Sequence, residues 1–411
     1  MSHISEGEKM RFPGLFRITF WKVVGVLLVG AAIVAAVERY ALGLGATTNL
    51  ADTFPWGLWI GFDILVGVGL AAGGFTIAAA VYIFNLEKFR PILRPTILTA
   101  FLGYLLVIAG LMVDLGRPWA IWHALIYWNP RSVMFEVAWC VMLYTTVLAL
   151  EFSPVVLERF KLKRALKVVK AIMIPLVILG VILSTLHQSS LGSLFLIIPG
   201  RMHPLWYSNI IPFLFIISCV AAGLCMTIFE SFLSSRAFGR EIELPLLSQL
   251  AKVVVVVLAL YFTVRIQDLM SRDALHYVFE PSYQSIMFIG EIVLGVIVPF
   301  FLLLFERVRT SRAGLFYSSV LVLLGFVAHR MNTAITSMEH WPTRTYIPSW
   351  QELSITLGLA AFGFVAFSFI ARYFDVFGKV GAHGAVGHTT PSHAPLLEDG
   401  DSVLVPANVK A

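Results

Sequence analysis

Ten stretches of sixteen or more mostly apolar residues recur along this chain, near 18–37, 57–84, 96–113, 133–151, 168–187, 210–230, 250–267, 285–305, 315–330 and 352–373. Each is long enough, as a helix rising ~1.5 Å per residue, to cross about 30 Å of hydrocarbon. The chain is 58% hydrophobic and 13% charged, where a soluble domain carries about a quarter charged residues. The pattern predicts an all-α integral membrane protein of about ten transmembrane helices. The first run follows a polar, basic segment and has no small-residue cleavage site behind it, so it reads as an uncleaved span.

Lys and Arg test the count. With ten spans, one side of the membrane receives 22 of them and the other 8, a positive-inside bias that places both termini in the cytoplasm. The inside loops are short and basic. The outside loops are rich in Trp, Tyr, Pro, His and Gly, as in Asp114-Leu-Gly-Arg-Pro-Trp119, Tyr127-Trp-Asn-Pro130, Met202-His-Pro-Leu-Trp-Tyr207 and Tyr346-Ile-Pro-Ser-Trp350. An aromatic belt would mark both faces, so the asymmetry points to structured loops or a docking surface outside. The net charge of +6 is thus a matter of loop topology and gives no sign of a nucleic-acid partner.

A weak internal repeat sets two parallel four-helix bundles. Ser132-Val-Met-Phe-Glu136 opens the fourth helix, and Ser285-Ile-Met-Phe288 with Glu291 opens the eighth; Tyr82-Ile-Phe-Asn85 ends the second, and Thr227-Ile-Phe-Glu230 the sixth. The expected layout is a cytoplasmic segment 1–17, a first bundle 18–151, a second bundle 152–306, an added C-terminal helix pair 307–375, and a disordered cytoplasmic tail 376–411 whose histidines are solvated.

Polar residues inside the spans are expensive and therefore informative. Asp63 lies about two turns inside a Gly-rich helix that opens Phe54-Pro-Trp-Gly-Leu-Trp59. Asp114 ends the third helix, Glu136 lies a turn into the fourth, and His187 with Gln188 ends the fifth. Glu291 sits two turns into the eighth helix, and His329 with Arg330 closes the ninth. Sorted by depth, these groups gather in the outer third of the membrane. Glu151, Glu158, Glu230 and Glu306 mark inner helix ends and are expected to pair with the basic loops.

Each reading has a plainer rival. Asp114 could form a local i,i+3 pair with Arg117. His187 could be a satisfied interfacial histidine. The glycines of the second helix could serve close packing alone, and Trp56 and Trp59 could be belt residues or the mouth of a site for a flat ring. Asp63 and Glu136 have no neighbouring cation in sequence; unpaired, each would be protonated or draw in water.

The three cysteines form no CxxC, so no iron–sulfur, zinc or disulfide framework is encoded, and no GxGxxG or GxxxxGK[ST] marks a nucleotide site. Outside the tail every histidine falls at a helix end or in a loop, where two could not face each other across a b-type haem. A lipophilic substrate that moves protons with its electrons fits this pattern. A quinone is the obvious choice, with electrons supplied by a partner on the outer side. A secondary transporter and a cytochrome b are the rival classes.

Phe54-Pro-Trp-Gly-Leu-Trp-Ile-Gly-Phe-Asp63, Asp114-Leu-Gly-Arg117, Ser132-Val-Met-Phe-Glu136, Leu186-His-Gln-Ser-Ser-Leu-Gly-Ser-Leu194 and Met202-His-Pro-Leu-Trp206 resemble the NrfD/polysulfide-reductase membrane-subunit family. Within it the HybB type, the membrane subunit of type-2 [NiFe]-hydrogenases, is the branch they resemble. The resemblance extends to about residue 375. It implies haem-free helical bundles in the inner membrane and a menaquinone or ubiquinone site near the outer face. It also implies a periplasmic ferredoxin-like iron–sulfur subunit, fed by hydrogenase small and large subunits. For some members it implies coupling of the redox step to proton translocation. Carried over by motif, Asp63, Asp114, Glu136 and His187 would handle quinone or protons, with Trp56, Trp59, Arg117, Gln188 and His203 as binding residues and no metal ligand.

Overall fold

The computed structural model describes residues 20–52, 54–340 and 345–377. The expected segment 1–17, the tail beyond 377 and its histidines lie outside the described residues. Within them ten helices are long and apolar enough to cross a membrane: α1 Phe20–Leu42, α2 Trp59–Tyr82, α3 Glu87–Asp114, α4 Val133–Arg159, α5 Met173–Ile197, α6 Ile211–Phe238, α7 Leu244–Ser271, α8 Tyr283–Leu304, α9 Arg312–Thr336 and α10 Trp350–Tyr373. The side expected to face outward, where α2 begins, is called the outer side below.

Several helices run further than the hydropathy predicts. α5, α7 and α9 continue past His187, past Arg265 and Asp268, and past His329 and Arg330. All five of these side chains are buried. The sequence reading ends a helix at such residues because hydrocarbon does not solvate them, but here neighbouring helices serve His187, His329 and Arg330, and the loop before α6 serves Arg265 and Asp268.

Packing follows the expected fold class but moves its boundary by one helix. α2, α3, α4 and α5 pack on one another, and α6 through α9 form a second group. α6 is the seam and touches α5, α2 and α9. Helix α1, expected in the first bundle, instead lies along α10, and this pair leans on α3. The motif matches between α2 and α6 and between α4 and α8 also fit this grouping, because the offset remains four helices. The seam is tight: a Cβ on Gly223 of α6 would run into the backbone of Gly73 and Ala72 on α2. Gly295 and Gly325 bring α8 and α9 together in the same way.

A polar latch at the outer side sets α10 against α2. Ser349 caps α10, its Oγ accepting from the Glu352 amide at 3.2 Å, and Glu352 Oε2 accepts from the Ser349 amide at 2.8 Å and the Asn49 amide at 3.1 Å. Tyr346 donates its phenol to Glu352 Oε1 and accepts from the Leu58 amide at 2.9 Å. Burial, reinforced by that carboxylate, pushes the Tyr346 phenol above its usual pKa and keeps it a donor. Trp59 then donates its indole N–H to the Glu352 carbonyl at 3.3 Å.

Candidate functional site

One turn inward from Trp59 and Glu352, α2 and α10 meet again through a single polar contact. Thr356 donates to Asp63 Oδ2 at 2.7 Å. Asp63 is 9% exposed and sits in a π-helical turn, Trp59–Val66. Such widened turns often mark functional positions. Gly110 of α3 faces the Asp63 side chain, where an added Cβ would approach Asp63 Cβ to 3.0 Å. The carboxyl is thus boxed in by α2, α3 and α10.

Below Asp63 lies a cavity of about 470 Å³ between α2, α3, α6, α9 and α10. Its walls are almost wholly apolar and include Leu70, Leu102, Phe229, Leu323 and Phe367. Two lining residues, Leu324 of α9 and Phe364 of α10, are 60% and 59% exposed, and α9 and α10 scarcely touch. The cavity therefore opens sideways toward the bilayer, and a lipid-soluble molecule can enter it without crossing water.

A second polar centre lies inside the first bundle. His187 is fully buried, and its Nδ1 is 2.8 Å from the Tyr104 hydroxyl of α3. Tyr104 in turn packs edge-on against Tyr144 of α4, with ring centroids 4.7 Å apart. His187 Nε2, both amide atoms of Gln188 and the Tyr144 hydroxyl have no hydrogen-bond partner. Buried polar groups are nearly always paired, so this cluster has hydrogen-bonding capacity to spare.

The second bundle carries a fuller version of the same pair. Tyr261 of α7 reaches His329 Nδ1 of α9 at 3.5 Å, and that nitrogen is 2.8 Å from Glu291 Oε1 of α8. Glu291 Oε2 also accepts from Trp206 Nε1 at 3.0 Å and from Asn332 Nδ2 at 2.9 Å. Arg330 lies over the Phe215 ring at 3.5 Å and donates to Ser218 Oγ at 3.1 Å. Sequence reasoning placed Glu291 and His329 at the right depth but did not join them. Thr356, Tyr104, Tyr144 and Tyr261 it missed, because threonine and tyrosine are unremarkable in an apolar helix. The signal that could have found the tyrosines was the four-helix offset that relates His187 to His329.

The remaining expected residues scatter. Asp114 is half-buried, and the exposed Arg117 is not the cation that acts on it. The cation acting on it is Arg39 of α1, whose side chain donates to the carbonyls of Val113 at 2.7 Å and Leu115 at 2.6 Å. Glu136 is half-buried in the first turn of α4 and lines neither the slot nor the pocket beside His329. Trp59, expected at the mouth of the site, is 1% exposed in a cluster with Ala35, Val113 and Ile355, where it holds α10 in place. Trp56 packs edge-on against Phe195 with ring centroids 5.4 Å apart. His203 accepts at Nδ1 from the Leu205 amide at 3.2 Å and shapes a turn. Of the inner glutamates Glu158 pairs as expected, with Arg94 at 2.8 Å and Lys170 at 3.2 Å. Glu151 and Glu230 are buried and make no ion pair.

Comparison with known proteins places this architecture. The family model described as polysulphide reductase, NrfD, matches residues 46–338. A protein of Nitratidesulfovibrio vulgaris is 37% identical over 92% of this chain and 97% of its own length. The Escherichia coli protein named probable Ni/Fe-hydrogenase 2 b-type cytochrome subunit is 34% identical over 85% of this chain and 92% of its own. The menaquinone reductase integral membrane subunit of N. vulgaris is 28% identical over 88% and 93%. The match takes in both bundles, Asp63 and His187, and the chain belongs to the NrfD, polysulphide reductase, family of multi-pass membrane proteins.

Proposed function

We propose that this chain is the quinone-reactive membrane subunit of a respiratory complex, passing electrons between an iron–sulfur partner of a [NiFe]-hydrogenase and menaquinone or ubiquinone. The observation that carries the reading is the slot: an apolar cavity open to lipid, closed at its outer end by the Asp63–Thr356 pair. A quinone ring arriving through the gap between α9 and α10 would find a carboxyl and a hydroxyl for its oxygens. Reduction to the quinol takes two electrons from the partner and two protons, and Asp63 can pass a proton to or from the ring oxygen. The E. coli relative's name supports hydrogenase as the donor complex. The N. vulgaris relative's name favours a second reading in which only the donor changes.

The name of the E. coli relative also brings in haem. His187 and His329 do not make a bis-histidine cradle. They belong to different bundles, and the cavity beside His329, about 30 Å³, has no room for a porphyrin. The reading therefore needs no haem in this chain.

The test uses membranes carrying the assembled complex and a water-soluble menaquinone analogue. Asp63→Asn should lower hydrogen-dependent reduction about 100-fold while the complex still assembles. Wild-type turnover in the variant would remove Asp63 from the site. Reduction that fails with hydrogen but proceeds with a cytochrome donor would favour the second reading. On the proposed orientation both termini lie on the cytoplasmic side of a bacterial inner membrane, so a reporter fused after residue 378 should be active there; activity on the periplasmic side would overturn the topology.

A further inference from the structure

The slot has two polar ends, and the quinone reading uses only one. Its inner end is formed by Glu230 and Ser234 of α6 and Thr99 of α3. Glu230 is 7% exposed and has only the Ser234 hydroxyl, one turn on, beside it, with neither carboxyl oxygen in a well-formed hydrogen bond; the buried Thr99 hydroxyl has no partner. Both residues line the same cavity. α2 and α6 touch at Gly73 and Thr227. Asp63 lies ten residues outward of that crossing and Glu230 three residues inward, so the two ends are roughly 20 Å apart along the helices.

We propose that Glu230 and Thr99 form a second docking station in the slot, for the neutral ring of a prenylated quinone or quinol. This rests on the quinone reading of the outer end. A hydrocarbon tail alone would leave the carboxyl and the hydroxyl unsatisfied, at a cost in each case. Water alone would satisfy them but would have to wet apolar walls, where each molecule needs two to four polar partners. The doorway at Leu324 and Phe364 faces lipid. Glu230 lies eight residues, about 12 Å, inside the inner end of α6, too deep for a charged phospholipid head. A neutral ring with two oxygens, carried on one apolar chain, satisfies the polar end and the walls together. The slot then holds a ring at either leaflet's depth and offers a path between them.

Photolabelling of the assembled complex in native membranes with an azido-quinone tests this. Label is expected in two places, on helix segments beside Asp63 and on segments 226–237 and 99–103. Glu230→Leu should lower the inner label about tenfold, the loss of one good hydrogen bond, and leave the outer label unchanged. Glu230→Gln, which keeps a hydrogen-bonding group and guards against misfolding of the leucine variant, should retain the inner label. Label at the outer end alone, or an inner label indifferent to Glu230→Leu, overturns the second station while the quinone reading stands. Label at neither end overturns both. A slot filled only by ordered water in a structure of the quinone-soaked complex also overturns it.

Discussion

The Tyr104–His187 pair of the first bundle and the Tyr261–His329 pair of the second stand on equivalent helices, α3 with α5 and α7 with α9, yet they are finished differently. His329 is clamped: Glu291 faces its Nδ1, and the same carboxylate is shared by Trp206 and Asn332. His187 has one partner, and the groups around it, Gln188 and Tyr144, are unpaired. Both histidines leave Nε2 without a partner, and two nitrogens of Arg330 also have none, so the contrast lies at Nδ1, where a carboxylate-centred network ties α7, α8 and α9 together at His329 and rigidifies that half. The difference teaches that one half ties its histidine into a carboxylate-centred network, while the other leaves Gln188 and Tyr144 with hydrogen-bonding capacity to spare.

The largest effect should come from breaking the clamp. Glu291→Ala removes the acceptor of Trp206 and Asn332 and the partner of His329, all within a fully buried site. Leaving such partners uncompensated costs about 3–5 kcal/mol. Thermal unfolding of the purified variant in detergent, and its yield in membranes, should both fall sharply. A variant as stable as wild type would show that the second bundle does not need its network, and the contrast between the halves would collapse.

How much of this was legible beforehand divides along the same line. The ten spans, the four-helix offset and the outer depth of Asp63, Glu291 and His329 all follow from apolar run lengths and residue spacing. The Asp63–Thr356 contact does not, because α2 and α10 are separated by nearly three hundred residues and nothing in either marks the other. The burial of Trp59 was not legible for a related reason. A tryptophan at a helix start suits a membrane interface, and only the packing of α1 and α10 over α2 buries it. Helix α1 was grouped with its sequence neighbours, since sequence order says nothing of an antiparallel return by the last helix. The endpoints of α5, α7 and α9 were cut short wherever a charge or histidine appeared, because most of the partners lay far along the chain, on another helix or in the loop before α6.

His187→Gln sharpens the contrast from the other side. Glutamine keeps a buried polar group near Tyr104 but cannot carry a proton between two ring nitrogens. Turnover with the menaquinone analogue should fall about 100-fold, while the unfolding temperature should move far less than in Glu291→Ala. A large loss of stability with turnover intact would make His187 a structural residue like His329, and would leave Asp63 as the candidate proton group of the first half.

The smallest expected effect lies in the latch that holds α10 over the slot. Tyr346→Phe deletes the phenol that joins the Leu58 amide to Glu352, at about 1–2 kcal/mol. The register that brings Thr356 to Asp63 starts one turn away at Trp59 and Glu352, so turnover should drop a few-fold, in step with a looser outer end of α10. The second bundle takes no part in this contact and should keep its protection from hydrogen exchange. Because burial and the neighbouring carboxylate raise the phenol's pKa, it stays protonated as pH rises through the neutral and mildly alkaline range, and the latch should hold there. A loss of wild-type turnover in that range that Tyr346→Phe abolished would mean that the phenol does ionise, and that the outer end of the slot is less enclosed than its packing indicates.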